Sequence, residues 1–192
     1  FELSPFKNTL TIDPAGVNYA NSLPKKILPY LKWYNNHVEC GKLISKTLNS
    51  INQRNPAKSY NKVKLGNFTD KKYIFVPLQV PGDSQLRIYG GKFKELKSFI
   101  DILIEYSSHL PKDWYIRFKE HPNSKISYLD HIKGQVFNKP IMLDNQTDTF
   151  EQVRSAEAVM TINSSVGLEA MYFEKKVIAC GQCFWAFDGL AK

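Results

Sequence analysis

An α/β fold organised on a doubly wound parallel sheet is what this sequence predicts, and three observations predict it. Short apolar runs recur at residues 73–80 (YIFVPLQV), 114–119 (WYIRFK), 141–143, 158–162 and 177–180, as expected of strands covered on both faces. Stretches with apolar residues on one helical stripe alternate with them, so the order reads βαβαβαβαβ. The stretch 159–181, VMTINSSVGLEAMYFEKKVIACG, packs strand, polar turn, helix and second strand into one βαβ unit with no room for anything more.

Before residue 71 the texture differs. Residues 1–24 are punctuated by Pro5, Asp13-Pro14, Gly16 and Pro24 around a short strand at 9–12. Residues 25–34 give a helical stretch broken by Pro29, and 37–51 give a longer one with Val38, Ile44, Leu48 and Ile51 on one side. From Asn52 to Asp70 the chain is polar and basic, with Pro56 and Gly66, and reads as a connecting segment. The expected division is therefore 1–70, the remnant of a first domain with its linker, and 71–192, a Rossmann-like domain.

Within that second part, the strand at 73–80 runs into Pro81-Gly82-Asp83-Ser84-Gln85. Gly90-Gly91 precede a helix from about 92 to 108, with Phe93, Leu96, Phe99, Ile100 and Leu103 on its stripe. The strand at 114–119 ends at Glu120-His121-Pro122, and a short helix around 127–133 leads to the strand at 141–143. A helix over 148–155, capped by Thr147 or Asp148, enters the closing unit. There a strand at 158–162, the turn Asn163-Ser164-Ser165, a helix over about 166–174 and a strand at 177–180 follow without a break. No GxGxxG follows the first strand, so a dinucleotide is not the expected ligand.

The 192 residues are 43% apolar and 13% aromatic, a globular composition. The chain opens without Met and stops just after an aromatic run, so a part of a longer protein is expected. No run of roughly 18 apolar residues occurs, so no membrane-spanning helix is expected. Three cysteines, Cys40, Cys180 and Cys183, argue for a reducing compartment and against a disulfide framework or a metal site. The net charge of +8 resides in residues 1–100, which carry 16 Lys and Arg against 6 Asp and Glu, while 101–192 carry 10 against 12. The basic half is either a solvated face or a surface for anionic partners such as lipid headgroups or nucleic acid.

In an open parallel sheet a ligand lies beyond the carboxyl ends of the strands. Three such ends carry polar clusters: Gln79 with Asp83, Ser84 and Gln85; Lys119 with His121 and Pro122; and Asn163, Ser164 and Ser165. Ser164 or Ser165 caps the last helix, whose unpaired first N–H groups attract a phosphate, and Glu169 one turn in can accept from ribose hydroxyls. Pro122 holds His121 in an extended segment, from which the imidazole can donate to a phosphate or a base. Asp83, beside Gly82, is either a nucleophile or general base, or a turn aspartate bonded to its own backbone.

These residues together resemble a family. FEL with IDPAGVNYANSLP, FVPLQVPGDSQ at 75–85, the pair His121-Pro122, and TINSSVGLEAMYFEKKVIACG with Phe187-Asp188-Gly189-Leu190 occur in the order seen in the capsule-polysaccharide biosynthesis family of bacterial Kdo transferases. The resemblance implies a GT-B-type glycosyltransferase of two Rossmann-like halves, of which this chain keeps the C-terminal, CMP-sugar-binding half and a partial N-terminal segment. It implies that His121 and Pro122 hold cytidine monophosphate and that Ser164 and Ser165 meet its phosphate. It further implies that Asp83 is the nucleophile and Glu2 a general acid or base. The Cys180-Gly181-Gln182-Cys183 run departs from the family pattern.

The implied reaction is transfer of Kdo from CMP-Kdo to a glycan or lipid-linked acceptor for capsule or surface polysaccharide, with retention. No cofactor or metal is implied, because a helix N-terminus can stabilise the single departing phosphate. The expected setting is cytoplasmic and peripheral at the inner membrane, with anionic lipid rather than nucleic acid against the basic residues of 1–100. Two other readings stand beside it: an inverting sialyltransferase-like CMP-sugar transferase, and a non-catalytic nucleotide- or polyanion-binding module.

Overall fold

The computed structural model describes residues 2–3, 10–11, 48–50, 62–186 and 191. Strands β1 (Glu2–Leu3) and β2 (Leu10–Thr11) pair antiparallel, within the stretch expected to hold a strand at 9–12. Residues 48–50 are helical, inside the stretch read as helix over 37–51; the rest of that stretch, the one at 25–34, Cys40 and Phe187-Asp188-Gly189-Leu190 lie outside the described residues.

From Lys64 onward the chain builds a six-stranded sheet in the order β3-β6-β5-β4-β7-β8. Its strands are β3 (Lys64–Leu65), β4 (Lys72–Pro77), β5 (Trp114–Lys119), β6 (Ile141–Asp144), β7 (Ala158–Thr161) and β8 (Lys176–Ala179). All neighbours pair parallel except β3, which runs antiparallel along β6 at the edge. Between them lie α1 (Ser84–Tyr89), α2 (Leu96–Tyr106) with a 3-10 turn (Ser107–His109), α3 (Leu129–Lys133), α4 (Thr149–Ser155) and α5 (Ser165–Met171).

Side chains of a strand alternate between the two faces, and here each face meets its own apolar layer. Val76, Ile116, Phe118, Ile141 and Leu143 pack with Leu96, Phe99, Ile100 and Leu103 of α2 and with Ile132 of α3. On the opposite face Tyr73, Phe75, Tyr115, Met142, Val159 and Val177 pack with Val153 of α4 and Ala170 of α5. Burial on both faces explains why the strands read as unbroken apolar runs, and it makes the fold doubly wound.

The chain steps outward from β4 through β5 to β6, then returns to place β7 on the other side of β4. The connections leaving β4 and β7 therefore diverge, opening a crevice at their carboxyl ends.

Two elements escape the sequence reading. The connecting segment 52–70 contains β3, whose Lys64 and Leu65 face Asp144 and Leu143, with Asn145 N–H donating to the Val63 carbonyl at 2.8 Å. Two residues are too few to display a period of two. Helix α1 occupies 84–89, where only a loop is expected, because six residues with a single buried position, Leu86, leave no stripe. The helix expected over 92–108 begins at Leu96 instead, since Gly91 sits at φ 62° and turns the chain. Phe93 still contributes to the same core, edge-on to Phe99 with ring centroids 5.1 Å apart.

Candidate functional site

The floor of the crevice is a pair of side-chain amides from the two strands that define it. Gln79, just past β4, donates through Nε2 to Asn163 Oδ1 at 2.8 Å, and Asn163 N–H donates back to Gln79 Oε1 at 3.2 Å. Asn163 Nδ2 also donates to the carbonyls of Gln85 (3.0 Å) and Gln182 (3.4 Å). The last loop is fastened in turn, because Gln182 N–H donates to the Tyr89 carbonyl at 2.8 Å. Four chain segments are thereby locked together by hydrogen bonds around one side chain, Asn163.

Above this floor lies a cleft of about 210 Å³. Gln79, Asp83 and Gln85 line it from the β4 side, His121 from β5, Asn163, Ser164 and Ser165 from β7, and Gln182, Cys183, Phe184 and Trp185 from β8. Seven residues singled out from the sequence, on three strand ends, thus share one cavity.

His121 enters with a defined tautomer. Asn123 N–H donates to its Nδ1 at 3.1 Å, so the neutral ring carries its proton on Nε2. Burial pushes the imidazole below its usual value, while the charge of Asp83 pulls partly the other way. At neutral pH the ring is a neutral Nε2–H donor. Asp83 caps α1, its Oδ1 accepting from Gln85 N–H at 2.9 Å, so the aspartate bonded to neighbouring backbone and the aspartate of the cleft are one residue.

Ser164, left open with Ser165 as the cap, is the residue that caps α5, accepting from Val166 N–H at 3.3 Å. Ser165 is the first helical residue and is exposed. Asp148 rather than Thr147 caps α4, with N–H groups of Phe150 and Glu151 at 2.8 and 3.2 Å.

Four expected ligand-binding residues lie elsewhere. Lys119 is buried, and its Nζ donates to the carbonyls of Thr147 (2.7 Å) and Asn145 (3.2 Å), turned to the β6–α4 loop and away from the cleft. Burial lowers its pKa, opposed by the charges of Asp144 and Asp148. Glu169 is buried within α5 and does not line the cleft. Ser84 is exposed, its hydroxyl 3.5 Å from Asp83 Oδ1, and Pro122 serves the turn after His121. Glu2 belongs to β1, opposite Thr11, and its side chain lies outside the described residues.

The support beneath β5 is a second amide arrangement. Asn145 Oδ1 accepts from Glu120 N–H at 2.9 Å, while its Nδ2 donates to Glu120 Oε2 at 2.8 Å. Glu120 also accepts from Ser127 Oγ and Tyr128 N–H, so its carboxylate is spent on holding the loop that carries His121. One residue further out, Asp144 takes Arg117 at 2.5 Å and two donors from Thr147, which hold its carboxyl down at about 2 despite burial.

The wall that sequence reading missed is 182–185. Trp185 is buried and packs on Gly167 so closely that a Cβ there would stand 2.4 Å from the ring. Glycine is required by contact with a ring, and the signal available was the aromatic run Phe184-Trp185 following a buried strand. Cys183 in the same wall has its thiol pushed up to about 11 by burial, which leaves it protonated and unreactive. Among the described residues no group of three or more His, Cys, Asp and Glu is placed to hold a metal ion, and no helix is long and apolar enough to cross a membrane. What the cleft offers chemically is hydroxyl and imidazole donors for an anion, with one carboxylate at its edge.

A family model described as Capsule polysaccharide biosynthesis protein matches residues 30–192. Protein FixF of Sinorhizobium fredii is 31% identical over 185 residues, which is 96% of this chain and 42% of that protein. Capsule polysaccharide export protein KpsS of Escherichia coli is 28% identical over 136 residues, 66% of this chain and 34% of that protein. The chain therefore spans less than half the length of these curated relatives. Among solved structures, the beta Kdo 2,7 transferase of Thermosulfurimonas dismutans KpsC superposes with a TM-score of 0.50 at 26% identity, covering 66% of this chain and 38% of that one. The beta Kdo 2,4 transferase of the same protein gives a TM-score of 0.54 at 19% identity over 81% and 50%, a likeness of fold.

Proposed function

The chain belongs to the capsule polysaccharide biosynthesis protein family, and from that premise we propose that it is the donor-binding part of a glycosyltransferase that moves Kdo from CMP-Kdo to a glycan or lipid-linked acceptor. The observation that carries the reading is the convergence of Asp83, His121, Ser164 and Ser165 in one cleft at the point where the strand order reverses. The neighbour known as a beta Kdo 2,7 transferase, 26% identical, supports the choice of sugar.

In this reading the cytidine monophosphate lies along the cleft. Ser165 hydroxyl and the first N–H groups of α5 meet its phosphate, and His121 donates through Nε2–H. Donors of α5 beside the Gln79–Asn163 floor, and His121 on the loop fastened by Glu120 and Asn145, need no reorganisation as negative charge builds on the departing phosphate. No metal is called on. Asp83 acts as nucleophile: its carboxylate forms an ester to the anomeric carbon as the carbon–oxygen bond to CMP breaks, with the electron pair leaving on the phosphate. The acceptor hydroxyl then attacks the same carbon, releasing Asp83 and giving its proton to a base. The family resemblance assigns that acid–base role to Glu2. Two displacements give retention. Basic residues of 1–100 give peripheral contact with the anionic cytoplasmic face of a membrane.

Calorimetry of CMP and UMP binding tests the donor site. His121→Ala should cost CMP about 1–3 kcal/mol, the range for removing a hydrogen bond to a charged or buried group. Unchanged CMP affinity would remove His121, and with it the cleft assignment.

A further inference from the structure

β5 and β6 pair in a regular parallel ladder, in which Ile116 N–H donates to the Pro140 carbonyl at 2.9 Å and Phe118 stands opposite Leu143. Two such steps further on, at Glu120, the acceptor in turn is the Asp144 carbonyl. That carbonyl accepts from Gln152 Nε2 at 3.0 Å instead, and Glu120 N–H donates to Asn145 Oδ1 at 2.9 Å. The Asn145 side chain thus carries the ladder one bond past the last strand residue, onto the residue before His121.

Asn145 can do this in one orientation only. Its Nδ2 donates to Glu120 Oε2 at 2.8 Å, so one amide grips the same residue by backbone and by carboxylate. Its own N–H donates to the Val63 carbonyl at 2.8 Å, and its carbonyl accepts from Lys119 Nζ at 3.2 Å. Glu120 Oε1 takes Ser127 Oγ at 2.8 Å and Tyr128 N–H at 2.6 Å, closing the loop from 120 to 128. Asn145 and Glu120 are 2% and 6% exposed, and at such depth a fully partnered polar group holds one arrangement while an unpartnered one is strongly unfavourable. Within the loop, Ser124 N–H donates to the His121 carbonyl at 2.9 Å and Asn123 N–H to the ring Nδ1 at 3.1 Å. Where the imidazole enters the cleft therefore follows from where Glu120 is held.

We propose that Asn145 and Glu120 are positioning residues of the donor site: the pair aims His121 Nε2–H at the donor phosphate, and it requires one amide facing one carboxylate, in either order. It rests on the CMP-sugar reading and deepens it, because the carboxylate beside His121 is then a clamp and takes no proton from the substrate. The order is interchangeable on bonding grounds. A carboxylate at position 145 still accepts from the N–H at 120, and an amide at 120 donates to it while its oxygen accepts from Ser127 and Tyr128. Either change alone breaks the pattern. Asn145→Asp sets two carboxylates against each other. In Glu120→Gln the new NH2 group meets either Asn145 Nδ2 or Tyr128 N–H, donor against donor.

The test compares the full chain with Asn145→Asp, Glu120→Gln and the swapped pair carrying both. CMP affinity is read by calorimetry, and the His121 ring by NMR across the range in which histidine titrates, its signals assigned against His121→Gln. Each single variant should bind CMP roughly fivefold or more weakly, up to the full loss of His121→Ala. In each, His121 should titrate nearer the ordinary value of 6.5, because burial no longer holds it down once the ring is released to water. The swapped pair should restore CMP affinity to within about twofold, a departure from additivity that marks direct coupling, and should restore the Nε2–H tautomer in the ring nitrogen shifts. Single variants that lose only melting temperature, with CMP affinity and His121 titration unchanged, reduce the pair to a structural brace and overturn the proposal. A swapped pair no better than the single variants overturns it too. Should the single variants fail to fold, the swapped pair decides alone: folded with wild-type affinity it upholds the clamp, unfolded it ends it. Failure of CMP to bind the wild-type chain strikes the donor reading instead, and the NMR comparison without CMP still decides whether the pair sets the place of His121.

Discussion

Replacing Gly167 by alanine isolates the contact that forms the hidden wall of the cleft. A Cβ at that position would lie 2.4 and 2.7 Å from Trp185 Cη2 and Cζ2, and 3.1 Å from Thr161 Cγ2. Trp185 is 2% exposed and cannot swing aside into solvent without opening the core of that face. Forcing one extra methyl into such a contact costs about 1–3 kcal/mol. Helix propensity returns part of it, since alanine is better than glycine in a helix by about 0.5–1 kcal/mol. The net loss expected is about 1–2 kcal/mol, or a fall in melting temperature of roughly 2–8 °C for a domain of this size. Thermal denaturation of Gly167→Ala, Trp185→Leu and the double variant closes the cycle. The smaller side chain makes room for the methyl, so the double variant should be more stable than the two single losses summed by at least about 1 kcal/mol. CMP affinity should fall in Gly167→Ala because the displaced ring lines the cleft. A Gly167→Ala protein as stable as the wild type, or single losses that simply add, would refute the close approach.

Three further outcomes are expected. Asp144 is held down at about 2 by its donors despite burial, which contributes on the order of 2–3 kcal/mol above pH 4; this stability is lost as pH falls through 2, and Asp144→Asn should flatten the acid limb of a pH–stability curve, with an equally steep limb counting against it. His121 is lowered by burial, so it must take up a proton on unfolding below about 6.5; its contribution is present above that value and lost as pH falls through the folded one, and His121→Gln should remove that slope between pH 7 and 5, which urea denaturation would detect. Asp83→Asn keeps an N-cap and should cost only a few tenths of a kcal/mol, while Asp83→Ala should cost about 1 kcal/mol; in a full-length parent the Asn variant should abolish transfer with CMP affinity intact, and near-normal turnover would end the nucleophile role.

Five of the six strands of the large sheet, the four helices after α1 and three of the four walls of the cleft are legible in the sequence, while β3 and α1 are not. Apolar runs at 114–119 and 158–162 follow the burial of β5 and β7, and the caps at Asp148 and Ser164 are among the residues named beforehand, because these signals are local in the chain. That Asp83, His121 and Ser164 gather around one cleft was legible by a topological rule, that ligands lie beyond strand ends. What tertiary structure alone decided is which polar side chains face the cleft. Lys119 and His121 are two residues apart, yet one ammonium is spent on the Asn145 and Thr147 carbonyls and one imidazole enters the cavity. That choice depends on the loop after β6, distant in sequence and invisible in any local pattern. The same holds for the wall at 182–185, which exists because Gly167 admits Trp185, and for Asn163, whose amide satisfies groups from three other segments. A hydrogen-bond partner 78 or 84 residues away leaves no periodicity in the chain, so pairing of this kind is settled only when the segments meet in space.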